Sequence, residues 1–118
     1  ELPLGECQLP LFEQIQRLSP FGRGNASPVL LSRNVTIGEA RRVGKSGDHL
    51  SLYLRDGRSW QKAIAFGMGE LAEQLPAGTV IDVVFEPKVS TWQGRRRAEM
   101  HVIDLRESAS SNGDARVF

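Results

Sequence analysis

Every second residue from Leu50 to Leu54 is a leucine, and the residues beside and between them are His49, Ser51, Tyr53 and Arg55. A period of two belongs to a β-strand, whose alternate side chains point to opposite faces. The leucines line a core and the polar set faces water. Asp56-Gly57 then supplies a turn between two strand-like runs. Trp60 to Phe66 resumes as a strand that is more apolar and reads as more deeply buried. A chain with this stretch must build a hairpin with one wet face carrying a tyrosine and cations. That face is either a binding surface or an ordinary solvated sheet face.

The flanking sequence extends the hairpin. Residues 34–43 read as a preceding strand, with Val35 and Ile37 on one face, and Gly38 inside the run points to a bulge or strong bend. The pattern resumes at Ala40 and Val43, and residues 44–48 form the connecting loop. After the hairpin, Phe66-Gly67-Met68-Gly69 breaks the third strand. Residues 70–75 form a short helix with Leu71, Leu75 and Met68 as its buried stripe, closed by Pro76-Ala77-Gly78. Thr79 to Phe85 is β-branched and reads as the fourth strand. Residues 87–94 read as a long loop carrying Lys88 and Trp92. Arg95 to Leu105 is the last strand, with Ala98, Met100 and Val102 on one face and Arg95, Arg97, Glu99 and His101 on the other. At Ile103 and Leu105 the alternation shifts, a sign of a bulge or of new neighbours. The order β-β-β-α-β-β is that of an all-β, five-stranded OB-fold barrel, here with a short N-terminal helical extension. A small SH3-like barrel is the nearest competitor, and it would not usually spend a helix at this point.

Three regions follow. Residues 1–32 form a helical connector and loop expected to pack on the barrel. Leu11, Phe12, Ile15 and Leu18 give a helix over about 8–18, which Pro20 stops. The turn-rich stretch that follows makes Pro20, Phe21, Gly22, Gly24 and Asn25 a structural loop. Its Gly-Arg-Gly could instead cradle a phosphate, although it lacks the Gly-Lys-Ser/Thr ending and the strand-to-helix setting of a nucleotide-binding loop. Residues 33–107 are the barrel domain, and 108–118 a polar, aperiodic, flexible tail. The chain begins with Glu rather than Met, as expected of a piece of a larger protein.

Enzymatic chemistry finds little support. Cys7 is the only cysteine, so internal disulfides and cysteine-based zinc clusters are excluded. A reducing cytosol fits, and a cytoplasmic location is expected. No run approaches the roughly 20 apolar residues of a membrane-spanning helix, so no membrane partner is expected. His49 and His101 are the only histidines and have no metal-binding spacing. Asp48-His49 is a poor base and orienter, because strand neighbours face opposite ways. Asp82 and Asp104 lie in apolar strands and are candidates to pair with arginines or backbone groups. No catalytic or metal-ligating residue is assigned.

Charge says more about binding. The net charge is only +1, but its distribution is uneven. Arg33, Arg41, Arg42, Lys45, Arg55, Arg58 and Lys62 face only Glu39, Asp48 and Asp56 over residues 33–62. Residues 63–87 hold Glu70, Glu73, Asp82 and Glu86 with no base, and the last strand is basic again. A nearly neutral chain can therefore carry a positive face. OB-folds bind across strands two and three and through the first and last interstrand loops. Single strands are held by bases on aromatic faces and by cations along the backbone. The nucleic-acid-binding candidates are thus Arg41, Arg42, Lys45, Tyr53, Arg55, Trp60, Lys62, Lys88, Trp92, Arg95 and Arg97. Tyr53 also fits as a lone surface residue, Trp60 as a cap on the barrel edge and Trp92 as loop packing. Arg96 alternates away from Arg95 and Arg97.

The residues also carry a resemblance. Leu18-Ser19-Pro20-Phe21-Gly22-Arg23-Gly24-Asn25 and Pro28-Val29-Leu30 resemble the Pro-Phe-Gly-x-Gly-Asn region of the RecJ family of bacterial single-strand-specific DNA exonucleases. Val43-Gly44-Lys45, His49-Leu50, Ala63-Ile64-Ala65-Phe66-Gly67, Val83-Val84-Phe85, Trp92-Gln93-Gly94 and Asp104-Leu105-Arg106 continue it, so that it spans roughly 9–107. Ala26 stands where the family often has proline, which bears on the rigidity of the loop. The resemblance implies an OB-fold domain that follows a two-lobed phosphoesterase core with Asp-His-His motifs and Mn or Mg. That core degrades single-stranded DNA from the 5′ end in recombination and repair. None of its motifs is present here, so the implied role is non-catalytic and needs no cofactor of its own: gripping the strand that feeds the core. Implied partners are single-stranded DNA and the catalytic domains of the same chain, with self-association possible once the domain is cut away. The alternatives are an interdomain spacer or protein-interaction module, and an RNA-binding OB module.

Overall fold

The computed structural model describes residues 1–18 and 28–108, with the side chains of Leu18 and Trp92 outside that description. The expected loop residues Pro20, Phe21, Gly22, Gly24 and Asn25 and the expected tail from 109 onward lie outside the described residues. Helix α1 is Leu9–Leu18, and the strands are β1 Leu30–Val43, β2 His49–Asp56, β3 Ser59–Ala65, β4 Val80–Trp92 and β5 Arg95–Glu107. They close into a barrel in the order β1-β2-β3-β5-β4, the OB-fold. All neighbours are antiparallel except β3 and β5, which run parallel and are in register only at Ala63–Met100 and Ile64–His101.

The leucine alternation works as expected. Leu50, Leu52 and Leu54 are fully buried, opposite Ala65, Ala63 and Gln61 of β3. Each large inner residue of β2 thus sits beside a smaller inner residue of β3, which fits the tapering interior of a small barrel. Val35, Ile37, Ile81, Val83, Phe85 and Met100 complete the core.

Both ends of the barrel are closed. At one end Leu4, Cys7 and Phe12 are buried, and the Phe12 and Phe85 rings lie 6.4 Å apart. Removing a fully buried side chain of this kind costs roughly 3–5 kcal/mol for a Phe-to-Ala change. The Gln61 side chain donates to the Cys7 carbonyl beneath it. At the other end a 3-10 helix, Gly69–Gln74, packs over β1 and β2 with Leu75 buried behind it. This is the expected helix in its tighter form. Burial pushes the Cys7 thiol up, despite its contact with the Ser32 hydroxyl, so it stays a protonated packing group.

β1 bends twice. The register slips between Ile37 and Glu39, at Gly38 as expected, and again between Ser32 and Val35, where Asn34 takes a left-handed φ of 56°. The second slip is braced by Asp82 of β4. Its carboxylate accepts from the Asn34 backbone N–H at 3.0 Å, the Ser108 hydroxyl at 2.6 Å and Arg106 Nε at 3.2 Å, with Arg33 at 4.0 Å. Burial alone would push this carboxyl up. The hydrogen bonds from Ser108, Asn34 and Arg106 outweigh it and hold the group below the usual aspartate range.

Two expectations need correction. β1 begins at Leu30, earlier than residue 34, because Leu30, Leu31 and Ser32 pair with Phe85, Val84 and Val83. Residues 87–92 are not a loop: they continue β4, and only Gln93-Gly94 turns the chain, both with positive φ (49° and 76°). Such angles fit a two-residue turn whose twist matches its strands. Pro87 is tolerated because β1 pairs with β4 only as far as Phe85, leaving that edge of β4 without a ladder to satisfy. The alternation shift near Ile103 is a register slip opposite Val84 and Phe85.

Candidate nucleic-acid interface

The outer face of β2 and β3 carries the aromatic residues. Tyr53 lies opposite Lys62, and Arg55 opposite Trp60, so Tyr53 and Trp60 are diagonal neighbours. Their rings meet edge to face, 6.3 Å apart at 68°, and the Arg55 guanidinium carbon lies 5.9 Å from the indole centroid. Tyr53 is 46% exposed and Trp60 51%. Of the two readings of Trp60, the edge cap fails: the ring lies on the outside of the barrel.

Trp60 reaches across β2 to β1. A Cβ placed on Gly38 would lie 2.7 Å from the indole Cζ3 and 3.1 Å from Cη2. The glycine that bends β1 is therefore also the seat of the indole. Gly38→Ala should displace the ring rather than the backbone. The expected outcome is a shifted tryptophan emission spectrum with a change in unfolding midpoint worth less than about 1 kcal/mol, since alanine also restricts the unfolded chain. An unchanged spectrum would show that the indole does not rest there.

A groove of about 630 Å³ opens beside this pair. Tyr53, Trp60 and Lys62 form one side, Ser90, Thr91, Arg97 and Glu99 of the β4–β5 hairpin the other, and Gln8 and Leu9 border it at the start of α1. It thus offers exposed aromatic faces, hydroxyls and cations, the elements that bind bases and phosphates.

The other candidates are placed differently. Arg42 turns to the 3-10 helix, 2.9 Å from Glu73, whose carboxyl it holds below the usual range. Arg41 is 3.7 Å from Glu39, and Lys88, on β4 rather than in a loop, is 3.9 Å from Glu86. Lys45 is exposed in the β1–β2 loop and Arg95 at the tip of the β4–β5 hairpin. Trp92 is the last residue of β4, and its side chain lies outside the described atoms. Arg96 pairs with Glu13 of α1, away from Arg97 as the alternation requires. Ser90, Thr91, Gln8 and Leu9 went unnoticed in the sequence, because the hairpin read as a loop and polar residues there carry no pattern. Phe66, read as buried, is 56% exposed. Among the described residues no group of three or more His, Cys, Asp or Glu could hold a metal ion.

Comparison with known proteins agrees with the barrel fold. The family model described as RecJ OB domain matches residues 1–104. The single-stranded-DNA-specific exonuclease RecJ of Thermus thermophilus is 31% identical over 108 residues, 92% of this chain and 15% of that protein. RecJ of Bacillus subtilis is 29% identical over 91 residues, 77% of this chain and 12% of that protein. The crystal structure of Thermus thermophilus RecJ in complex with Mn2+ superposes with a TM-score of 0.59 at 31% identity, covering 83% of this chain and 14% of that one. The chain thus spans less than a sixth of the length of these relatives.

Proposed function

The chain belongs to the RecJ OB domain family, and from that premise we propose that it holds single-stranded DNA for a nuclease core carried by the same longer polypeptide. One observation carries the reading: Tyr53 and Trp60 stand half exposed and edge to face beside a groove whose walls bring Lys62 and Arg97. Bases stack on such faces whatever their identity, and cations follow the phosphates. The relatives' names specify exonucleases that act on single-stranded DNA, and one of them was crystallised with Mn2+. Hydrolysis and its metal would belong to the remainder of the polypeptide, the strand grip to this domain, and the setting to recombination and repair.

The test is binding of labelled oligo(dT), with a duplex control, over a series of salt concentrations. Affinity should fall linearly with salt on a log–log plot, by about 0.7 per phosphate contact neutralised. Lys62→Ala should make the slope shallower by about that amount, and Arg42→Ala should not, since Arg42 faces Glu73. Equal affinity for duplex, or no binding to either form, sinks the proposal.

A second reading is favoured by the pairing of basic residues within the domain: Arg41 with Glu39, Arg42 with Glu73, Arg96 with Glu13. A spacer module would use such pairs for rigidity alone. It predicts a flat salt response and loss of nuclease activity when residues 1–18 are altered in the longer protein.

A further inference from the structure

Phe66 lies six positions beyond Trp60, just past the end of β3, and is 56% exposed between two imidazoles. The His49 ring centroid lies 5.2 Å from that of Phe66 with the planes at 74°, and the His101 centroid 5.3 Å away with the planes at 69°, both in T-shaped contact. Both imidazoles are anchored. The Gly67 backbone N–H donates to His49 Nδ1 at 3.0 Å, and His101 Nε2 lies 2.8 Å from Glu99 Oε1. Burial does not account for the phenyl ring at this position, since the core beneath is filled by Leu50 and Ala65.

The cluster shares a surface with the groove. His49 alternates with Tyr53 on β2, and His101 with Glu99 and Arg97 on β5. Lys62 stands between Trp60 and Phe66 along β3, so a cation lies between the two aromatic positions. At about 3.3 Å of rise per residue the two backbone positions are set roughly 20 Å apart. Stacked nucleotides advance about 3.4 Å each, so about six would bridge that distance, within the roughly 4–16 nucleotides that one OB-fold covers.

Building on the single-strand reading above, we propose that Phe66, framed by His49 and His101, is a second base-stacking site. The strand leaves the Tyr53–Trp60 groove, passes Lys62 and lays a later base on the phenyl ring. Flanking imidazoles present further π faces, and their anchors fix the ring edges before DNA arrives, so little ordering is lost on binding.

The test is an oligo(dT) length series on this chain, from three to about twelve nucleotides, with Phe66→Ala, Phe66→Trp and Trp60→Ala. The wild type should gain affinity with length until both sites are filled. Phe66→Ala should match the wild type on the shortest oligomers and fall about 5- to 100-fold behind on the longest, and Phe66→Trp should restore the gain. Trp60→Ala should lose affinity at every length. Equal loss at all lengths for Phe66→Ala, or none at any length, overturns the second site. Unchanged DNA binding with weakened docking of the domain to the rest of the longer polypeptide makes Phe66 a protein contact and overturns it too. If the wild type binds no oligomer, the single-strand reading itself fails, an outcome distinct from a wild type that binds and a Phe66 variant that binds equally well.

Discussion

Trp60→Ala should weaken single-stranded DNA binding by about 5- to 150-fold, the value of one base stacked on an aromatic ring, with little change in stability. The asymmetry follows from where the ring lies. Half of it is already in water, its neighbours Tyr53 and Arg55 are themselves exposed, and the inner face of β3 at Gln61, Ala63 and Ala65 is untouched by its loss. A core aromatic such as Phe12 would behave in the opposite way. Trp60→Phe should keep part of the affinity, since a smaller ring still stacks. Fluorescence anisotropy of labelled oligo(dT) measures the first quantity and chemical denaturation the second. An alanine variant that stays folded and binds like the wild type would remove Trp60 from the interface.

Asp82→Ala should have the reverse signature, a loss of about 2–4 kcal/mol in unfolding free energy and little direct effect on the groove. The carboxylate gathers the Asn34 N–H, the Ser108 hydroxyl and Arg106 at the slip in β1. Without it the buried donors lose their acceptor, while Arg33 and Arg106 are exposed enough to return to water. Asp82→Asn should fall between, since an amide oxygen can replace one acceptor but not the charge. The same group sets an acid limit. Its folded-state pKa lies below its unfolded value, so its contribution is complete above the ordinary aspartate range near ~3.9. That contribution is lost as the pH falls through the lower folded value. As the pH falls below that range the wild type should lose stability more steeply than Asp82→Asn, as urea midpoints over a pH series will show. Parallel curves would mean that Asp82 carries no linked stability.

Much of the barrel was legible because its signals are local. Leucines at period two, a glycine within a strand and a short apolar helix between the third and fourth strands are patterns of neighbouring residues. The signals that failed depend on distant context. Pro87 reads as a breaker, and only the end of β1 pairing at Phe85 makes it acceptable. Along β3 and just past its end the size pattern is inverted: Ala63 and Ala65 face inward while Trp60 and Phe66 stand exposed. Hydrophobicity alone buries the two aromatic residues, but the leucines of β2 already fill that space. The site was legible to the same degree. Tyr53, Arg55 and Lys62 follow from alternation. The pairing of Arg42 with Glu73 spans 31 positions, and no local pattern announces it.

The parallel contact between β3 and β5 has a mechanical consequence. Every other boundary of the barrel is an antiparallel ladder of five or more matched pairs, whereas this one is matched at only two. The groove straddles it, with Tyr53, Trp60 and Lys62 on one side and Arg97 and Glu99 on the other. The two walls of the groove are therefore joined across the boundary with the fewest matched pairs in the barrel. One of those two pairs is Ala63 with Met100, both fully buried, so any change in the width of the groove would be felt directly in the core.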